Sequence, residues 1–171
     1  MGAKILETER MELGVIGEED AEIMLAIWND PAFIRNVSDR GVRTIEEARA
    51  AVREGAQKMF DDFGYGPYWM QLKLDGSRIG ICGLFKRENL DDPDIGFAVL
   101  PDWTGQGFAG EAAAAVVAYA RDELGLPALT AIVSPANEPS IGLIRKLGMS
   151  FDRMIKMPGD EDAIQLYSMP L

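Results

Sequence analysis

Apolar residues alternate with polar ones along several short stretches of the chain and recur at helical spacing along others. Over residues 4–16, Met11, Leu13 and Val15 alternate with Glu12 and Gly14, which predicts a strand region. Residues 18–29 predict a helix. Ile23, Met24, Ile27 and Trp28 fall on one face, and Glu18, Glu19 and Asp20 stand where the helix dipole favours acid. Asp30-Pro31 ends it, because proline disfavours helical backbone in the residue before it. Residues 31–43 are polar, with Arg35, Arg40 and Arg43, and read as irregular. Thr44-Ile45-Glu46-Glu47 has the form of a capping box and opens a helix running to about residue 60.

A strand-rich block follows. Tyr68, Met70, Leu72 and Leu74 alternate with Trp69, Gln71 and Lys73, and Asp75-Gly76 is a hairpin turn. The return strand covers residues 78–87, and Ile95, Phe97 and Val99 alternate in a third strand. Residues 108–124 are alanine-rich and helical, 126–133 form a strand, and 137–147 form a short helix stopped by Gly148. Residues 151–157 and 163–168 read as a last hairpin through Pro158-Gly159-Asp160. The order β, α, α, β, β, β, α, β, α, β, β predicts an α/β fold, a mixed sheet with helices on both faces. No repeat or Pro/Gly/Ser-rich linker divides the chain, so residues 1–171 are expected to form a single domain.

Composition narrows the chemistry. The chain has no histidine, which excludes Ser/His and Cys/His nucleophile pairs and His-ligated metal sites. A general base must come from Asp, Glu, Lys, Tyr, water or backbone. The single cysteine, Cys82, lies in an apolar stretch and reads as a small buried hydrophobe. A net charge of −11 argues against nucleic acid and anionic membranes as partners. It favours a cationic acceptor such as an amine, or serves solubility alone. The opening residues carry no basic lead and no long apolar core, so a cytoplasmic location is expected.

The segment from Asp94 to Ala112 reads as strand, glycine-rich turn, then helix. Free N–H groups at a helix start converge on one point, and the small Gly105, Gly107, Ala109 and Gly110 let an anion approach the backbone. No Gly-Lys-Ser/Thr follows, which excludes a Walker A loop, and the full dinucleotide-binding spacing is missing. On this run alone, a structural turn and a pyrophosphate cradle stand level.

A second run, Asn137-Glu138-Pro139-Ser140 continuing to Lys146-Leu147-Gly148-Met149, follows the next strand. Together the two runs resemble the GNAT acyltransferases. The first is similar to their acyl-CoA signature, Q/R-x-x-G-x-G/A, with Gly107 and Ala109 at the small positions and Thr104 where Gln or Arg is usual. The second is similar to their N-x-x-S-x-x-x-x-x-K-x-G-[FM] helix. Thr8-Glu9-Arg10-Met11-Glu12-Leu13 resembles the opening of the RimJ/RimL-type branch, with Gly14 in place of the usual arginine. Many members carry a helix tyrosine as general acid, and that position is Ile144 here.

The resemblance implies direct acetyl transfer from acetyl-CoA, without metal, to the amine of a small molecule or peptide, by a monomer or homodimer. A non-catalytic acyl-CoA-binding module is the alternative. It also implies a mostly antiparallel sheet in which residues 94–100 splay from residues 127–133. The pantetheine arm would pair with backbone at Phe97, Ala98 and Val99. The pyrophosphate would sit on Thr104, Gly105, Gln106, Gly107, Phe108, Ala109 and Gly110. Asn137 would touch the cofactor, and Ser140 would return a proton to the CoA thiolate. Both are also residue types that start helices. Asp94 is the candidate base or a turn residue. Glu111 reads as a helix-start charge, Lys146 as a solvated residue, and Trp28, Tyr68, Trp69 and Tyr167 as core or acceptor-pocket aromatics.

Overall fold

The computed structural model describes residues 2–171. The first strand region is a hairpin: β1 (Lys4–Glu7) and β2 (Met11–Val15) pair antiparallel, with Leu6 opposite Leu13. A 3₁₀ turn, Glu18–Asp20, leads into α1 (Ala21–Trp28), whose Met24, Ile27 and Trp28 are buried. The stretch expected to be irregular holds a short helix, α2 (Pro31–Asn36). Asp30 caps it through its side chain and Pro31 occupies its first turn, so the pair that stops α1 also starts α2.

The expected capping box is formed at α3 (Ile45–Val52). The Glu47 N–H donates to Thr44 Oγ1 at 3.1 Å, and the Thr44 N–H donates to the Glu47 carboxylate at 3.2 Å. A π-helical turn, Arg53–Gln57, then carries the chain into α4 (Lys58–Phe63). β3 (Pro67–Leu72), β4 (Arg78–Phe85) and β5 (Asp94–Val99) follow, then α5 (Phe108–Asp122), β6 (Ala128–Val133), α6 (Glu138–Lys146), β7 (Ser150–Ile155) and β8 (Ile164–Pro170).

All strands join one eight-stranded sheet in the order β1-β2-β3-β4-β5-β6-β8-β7. Neighbours are antiparallel except β5 and β6, which run parallel. Successive residues of β3 serve opposite faces, as strand geometry requires. Tyr68 and Met70 enter a core with Leu84, Val116, Leu129 and Tyr167 beneath α5 and α6. Trp69 enters a second core with Ile16, Met24, Ile27, Val52 and Ile81 beneath α1 and α3. Helices therefore cover both faces of a mostly antiparallel sheet, as expected. Among the described residues, no helix is long and apolar enough to cross a membrane.

Candidate active site

β5 and β6 meet at their starts and then part. Asp94 lies opposite Thr130, the Thr130 N–H donates to the Pro93 carbonyl at 2.9 Å, and no later pair joins the two strands among the described residues. On its other edge β5 stays paired with β4 through Ala98–Ile81 and Val99–Gly80. The Leu100 N–H reaches back to Ile79 on that side at 2.8 Å. Backbone groups alternate in direction along a strand, so Ala98 and Gly96 also face β4. Phe97 and Val99 turn their N–H and C=O groups toward the gap. An extended ligand lying there would find a strand edge to pair with.

At the far end of β5 the chain makes a 3₁₀ turn, Pro101–Trp103, and enters the glycine-rich turn. Gly105 and Gly107 have φ of +75° and +84°, a region that strains any side chain with a Cβ. Gly107 precedes the first residue of α5 and supplies no side-chain cap. The first intrahelical bond runs from the Glu111 N–H to the Gly107 carbonyl at 3.0 Å. The N–H groups of Phe108, Ala109 and Gly110 are thus left as unpaired donors at the positive end of a 15-residue helix. A Cβ built on Gly105 or Gly110 would meet no atom within 4 Å, so the space before these donors is open. An anion fits there without a basic side chain. Thr104 and Gln106 brace the turn, donating to the carbonyls of Pro101 and Asp102 at 2.9 and 3.2 Å.

The turn is held from outside by the β1–β2 hairpin. The Arg10 Nε donates to Glu111 Oε1 at 2.8 Å, the Arg10 backbone N–H donates to Glu111 Oε2 at 3.0 Å, and the Thr8 hydroxyl donates to the same Oε2. Arg10 Nη1 also donates to the Gln106 carbonyl at 3.1 Å, and the guanidinium lies 4.1 Å from the Phe108 ring centroid. Glu111 is therefore more than a helix-start charge. Partial burial works to raise its pKa, but the bonds from Thr8 and Arg10 outweigh it and hold the carboxyl below its ordinary value. This gives the Thr8-Glu9-Arg10 run a physical role that its local pattern does not reveal.

α6 closes the other wall of the gap. Asn137 is its cap, with Oδ1 accepting the Ser140 N–H at 3.4 Å. Ser140 is not the cap. It stands in the first turn, half-buried, and its hydroxyl has no protein partner among the described residues. Both residues border a cavity of about 520 Å³ that extends from the β5–β6 gap to α1, α2 and the π-helical turn.

Asp94 lines the same cavity and is 2% exposed. Arg87 Nε donates to its Oδ1 at 2.8 Å. Burial raises the Asp94 pKa, and the Arg87 charge only partly offsets that. Sequence reasoning did not single out Arg87, because nothing local pairs it with a buried acid. Trp28 also borders the cavity, whereas Tyr68, Trp69 and Tyr167 are core residues, at 0%, 4% and 1% exposure. Lys146 is exposed. Cys82 is fully buried, and burial pushes its thiol pKa far up, which removes it as a nucleophile. No group of three or more His, Cys, Asp or Glu is placed to hold a metal ion among the described residues.

A family model for the acetyltransferase (GNAT) domain matches residues 10–150. The uncharacterized N-acetyltransferase YoaA of Bacillus subtilis (strain 168) is 28% identical over 154 residues, which cover 89% of this chain and 86% of that protein. An acetyltransferase from Agrobacterium tumefaciens str. C58 superposes with a TM-score of 0.82 at 23% identity, covering 99% of this chain and 95% of the other. RimL, a ribosomal L7/L12 alpha-N-protein acetyltransferase solved in complex with coenzyme A, superposes with a TM-score of 0.84 at 16% identity, covering 99% and 98%. At these identities the two structures speak for the fold. The family match spans most of the chain, so the chain belongs to the GNAT acetyltransferase family and its activity is N-acetyl transfer.

Proposed function

We propose that this GNAT acetyltransferase, of the RimJ/RimL type and cytoplasmic, transfers acetyl from acetyl-CoA directly to a primary amine while both are bound. The observation that carries the reading is the β5–β6 gap. It offers the backbone groups of Phe97 and Val99 along its wall, the free donors of Phe108, Ala109 and Gly110 at one end, and a cavity at the other. These features fit a long ligand with a phosphate-bearing end and a thioester at the cavity.

In this reading the turn from Thr104 to Gly110 holds the pyrophosphate, and the strand edge from Phe97 to Val99, with Ala98 between them, holds the pantetheine arm. A backbone N–H on that edge steadies the charge developing on the thioester oxygen. Asn137 fixes the start of α6 beside the arm. Asp94 takes a proton from the incoming ammonium, directly or through water, so that a neutral amine attacks. The amine nitrogen bonds the acyl carbon, the carbon–sulfur bond breaks, and Ser140 gives its proton to the leaving thiolate while regaining one, directly or through water, from the nitrogen that becomes the amide. Holding both reactants in one cavity removes much of the entropic cost of their meeting.

Initial rates with acetyl-CoA and amine varied together test the ternary complex. Intersecting reciprocal plots are expected, with one-to-one acetyl-CoA binding in calorimetry before any amine is added. Parallel plots, or an isolable acetyl-enzyme, would overturn direct transfer. Acetyl-CoA binding without thiol release by any primary amine would favour the non-catalytic module instead.

Two variants separate the roles. Ser140→Ala removes a hydroxyl without a protein partner, so its melting temperature should hold while kcat falls by roughly 10²-fold, the lower range for one acid–base group. Full activity in that variant would return Ser140 to a lining residue. Arg10→Ala frees Glu111 and the turn it steadies. The KM for acetyl-CoA should rise about tenfold with kcat little changed, in line with loss of one charged hydrogen-bond set. A fall in kcat at unchanged KM would contradict a positioning role.

A further inference from the structure

We infer that the acceptor amine carries an anionic group, a carboxylate or a phosphate, and that Arg40 binds this group beside Arg87 at the cavity; the inference rests on the amine-acetylating reading above. The cavity is lined by four charged side chains: Arg40, Arg87, Asp94 and Asp160. Arg87 and Asp94 are paired with one another. Asp160 has no ion pair with any described residue. Arg40 has no hydrogen bond or ion pair with any described residue, although the chain carries an excess of acid that could have supplied one.

Arg40 is nonetheless held in place. Its guanidinium lies 4.8 Å from the Trp28 ring centroid, and Trp28 is 5% exposed and borders the cavity. Arg40 is exposed to solvent on one side, and its partial burial first, then the like charge of Arg87, lowers its pKa. Arg87 commits only its Nε to Asp94, so its terminal nitrogens remain available. Arg40 and Arg87 bring like charges to one cavity, Asp94 is bonded to Arg87 alone, and an anion would offset the charge of Arg40. The planar fork of arginine suits the paired oxygens of a carboxylate or phosphate. Gly55 borders the same space, and a Cβ there would meet no atom within 4 Å, which leaves room for a ligand. The chain as a whole carries a charge of −11, but the two arginines and two aspartates of this lining balance one another, so the acidic excess is not repeated here.

Paired acceptors test the idea: glycine against glycinamide, and O-phosphoethanolamine against ethanolamine, with spermidine as a polycation. At saturating acetyl-CoA, the anionic member of at least one pair should be preferred by roughly ten- to hundred-fold in kcat/KM, the range for a charged hydrogen bond. The pair that responds tells carboxylate from phosphate. Arg40→Gln should reduce the preference to near one and leave the KM for acetyl-CoA unchanged, and Arg40→Lys should restore part of it. Preference for spermidine over every anionic amine, or a preference that survives Arg40→Gln, would overturn the inference.

A second readout does not need turnover. Inorganic phosphate and N-acetylglycine are titrated against protein saturated with CoA while Trp28 emission is followed, with Trp28→Phe identifying the signal. A saturable change that Arg40→Gln abolishes is expected, and a flat response in the unaltered protein would refute the anion site even if no tested amine is acetylated. Failure to bind CoA at all would instead sink the acetyl-CoA reading, and the same titration on the free protein would still judge Arg40.

Discussion

Gly110→Glu is expected to stabilise the fold and weaken acetyl-CoA binding at least 100-fold. Gly110 is the third residue of α5, its φ is not positive, and a Cβ there meets no atom within 4 Å. The substitution therefore removes a poor helix former at no steric cost, a gain of about 0.5–1 kcal/mol. A carboxylate in the first turn adds about 0.3–1 kcal/mol through the helix dipole. The melting temperature should rise by roughly 2–6 °C for a chain of this size. For binding, the same carboxylate lies where a pyrophosphate would. It satisfies donors that the ligand needs and repels its charge, and each charged hydrogen bond lost costs about 1.5–3 kcal/mol. Gly110→Ala separates bulk from charge, since it adds the Cβ alone. Calorimetry beside a thermal melt reads both effects, and their opposite signs are the point, because a merely misfolded variant cannot gain stability while losing ligand. Undiminished affinity in Gly110→Glu would remove the pyrophosphate from this turn.

What could be read from the sequence was what neighbouring residues decide. The alternation of Tyr68, Met70 and Leu72 places β3, and the Thr44–Glu47 spacing places the start of α3, because both depend on a few consecutive residues. The glycine-rich turn before α5 was legible for the same reason: Gly105, Gly107 and Gly110 lie within one turn and α5 begins beside them. The gap beyond Asp94 came through family resemblance, since no local pattern states that two strands will part. Asp30-Pro31 was read as a stop alone, yet the same chemistry makes Asp30 a cap and Pro31 a helix start. The π-helical turn at Arg53–Gln57 has Gly55 at its centre, but a lone glycine in a helical pattern does not tell a π turn from a continued α-helix. The clamp on Glu111 joins residues 101 and 103 positions apart, and Arg40 meets Trp28 only once α1 and the following loop have packed. Such distant encounters leave no local signal, which is why the contacts of Thr8, Arg10, Arg40 and Arg87 emerge only in the folded chain.

Asp94→Asn is expected to lower kcat by 10²- to 10⁴-fold, the contribution of a positioned general base. Asp94 stands where β5 and β6 part, buried at 2% exposure on the cavity wall. The chain has no histidine, so no imidazole could substitute. Burial lifts the Asp94 pKa above the ordinary 3.8 of aspartate, and the Arg87 charge opposes this only in part. A base with a raised pKa takes protons more readily, and activity that depends on it should fall as pH drops through that value. Stability runs the other way. A carboxyl whose folded pKa is raised favours its neutral form, so its contribution is fully present below 3.8 and is lost as pH rises through the folded value. Asparagine removes both dependences, and its carbonyl can still accept from the Arg87 guanidinium, so the ion pair becomes a hydrogen bond from a cation to a neutral acceptor, while its new NH2 group turns to the cavity that Asp94 lines. Arg87 is 36% exposed and can take up water, which should keep the stability cost to about 1–2 kcal/mol, well inside the margin of a folded domain. The competing account makes Asp94–Arg87 a strut at the fork of the sheet. It predicts a lower melting temperature with kcat and its pH profile unchanged, whereas a base predicts loss of kcat and of the acid limb in a protein that melts nearly where it did before.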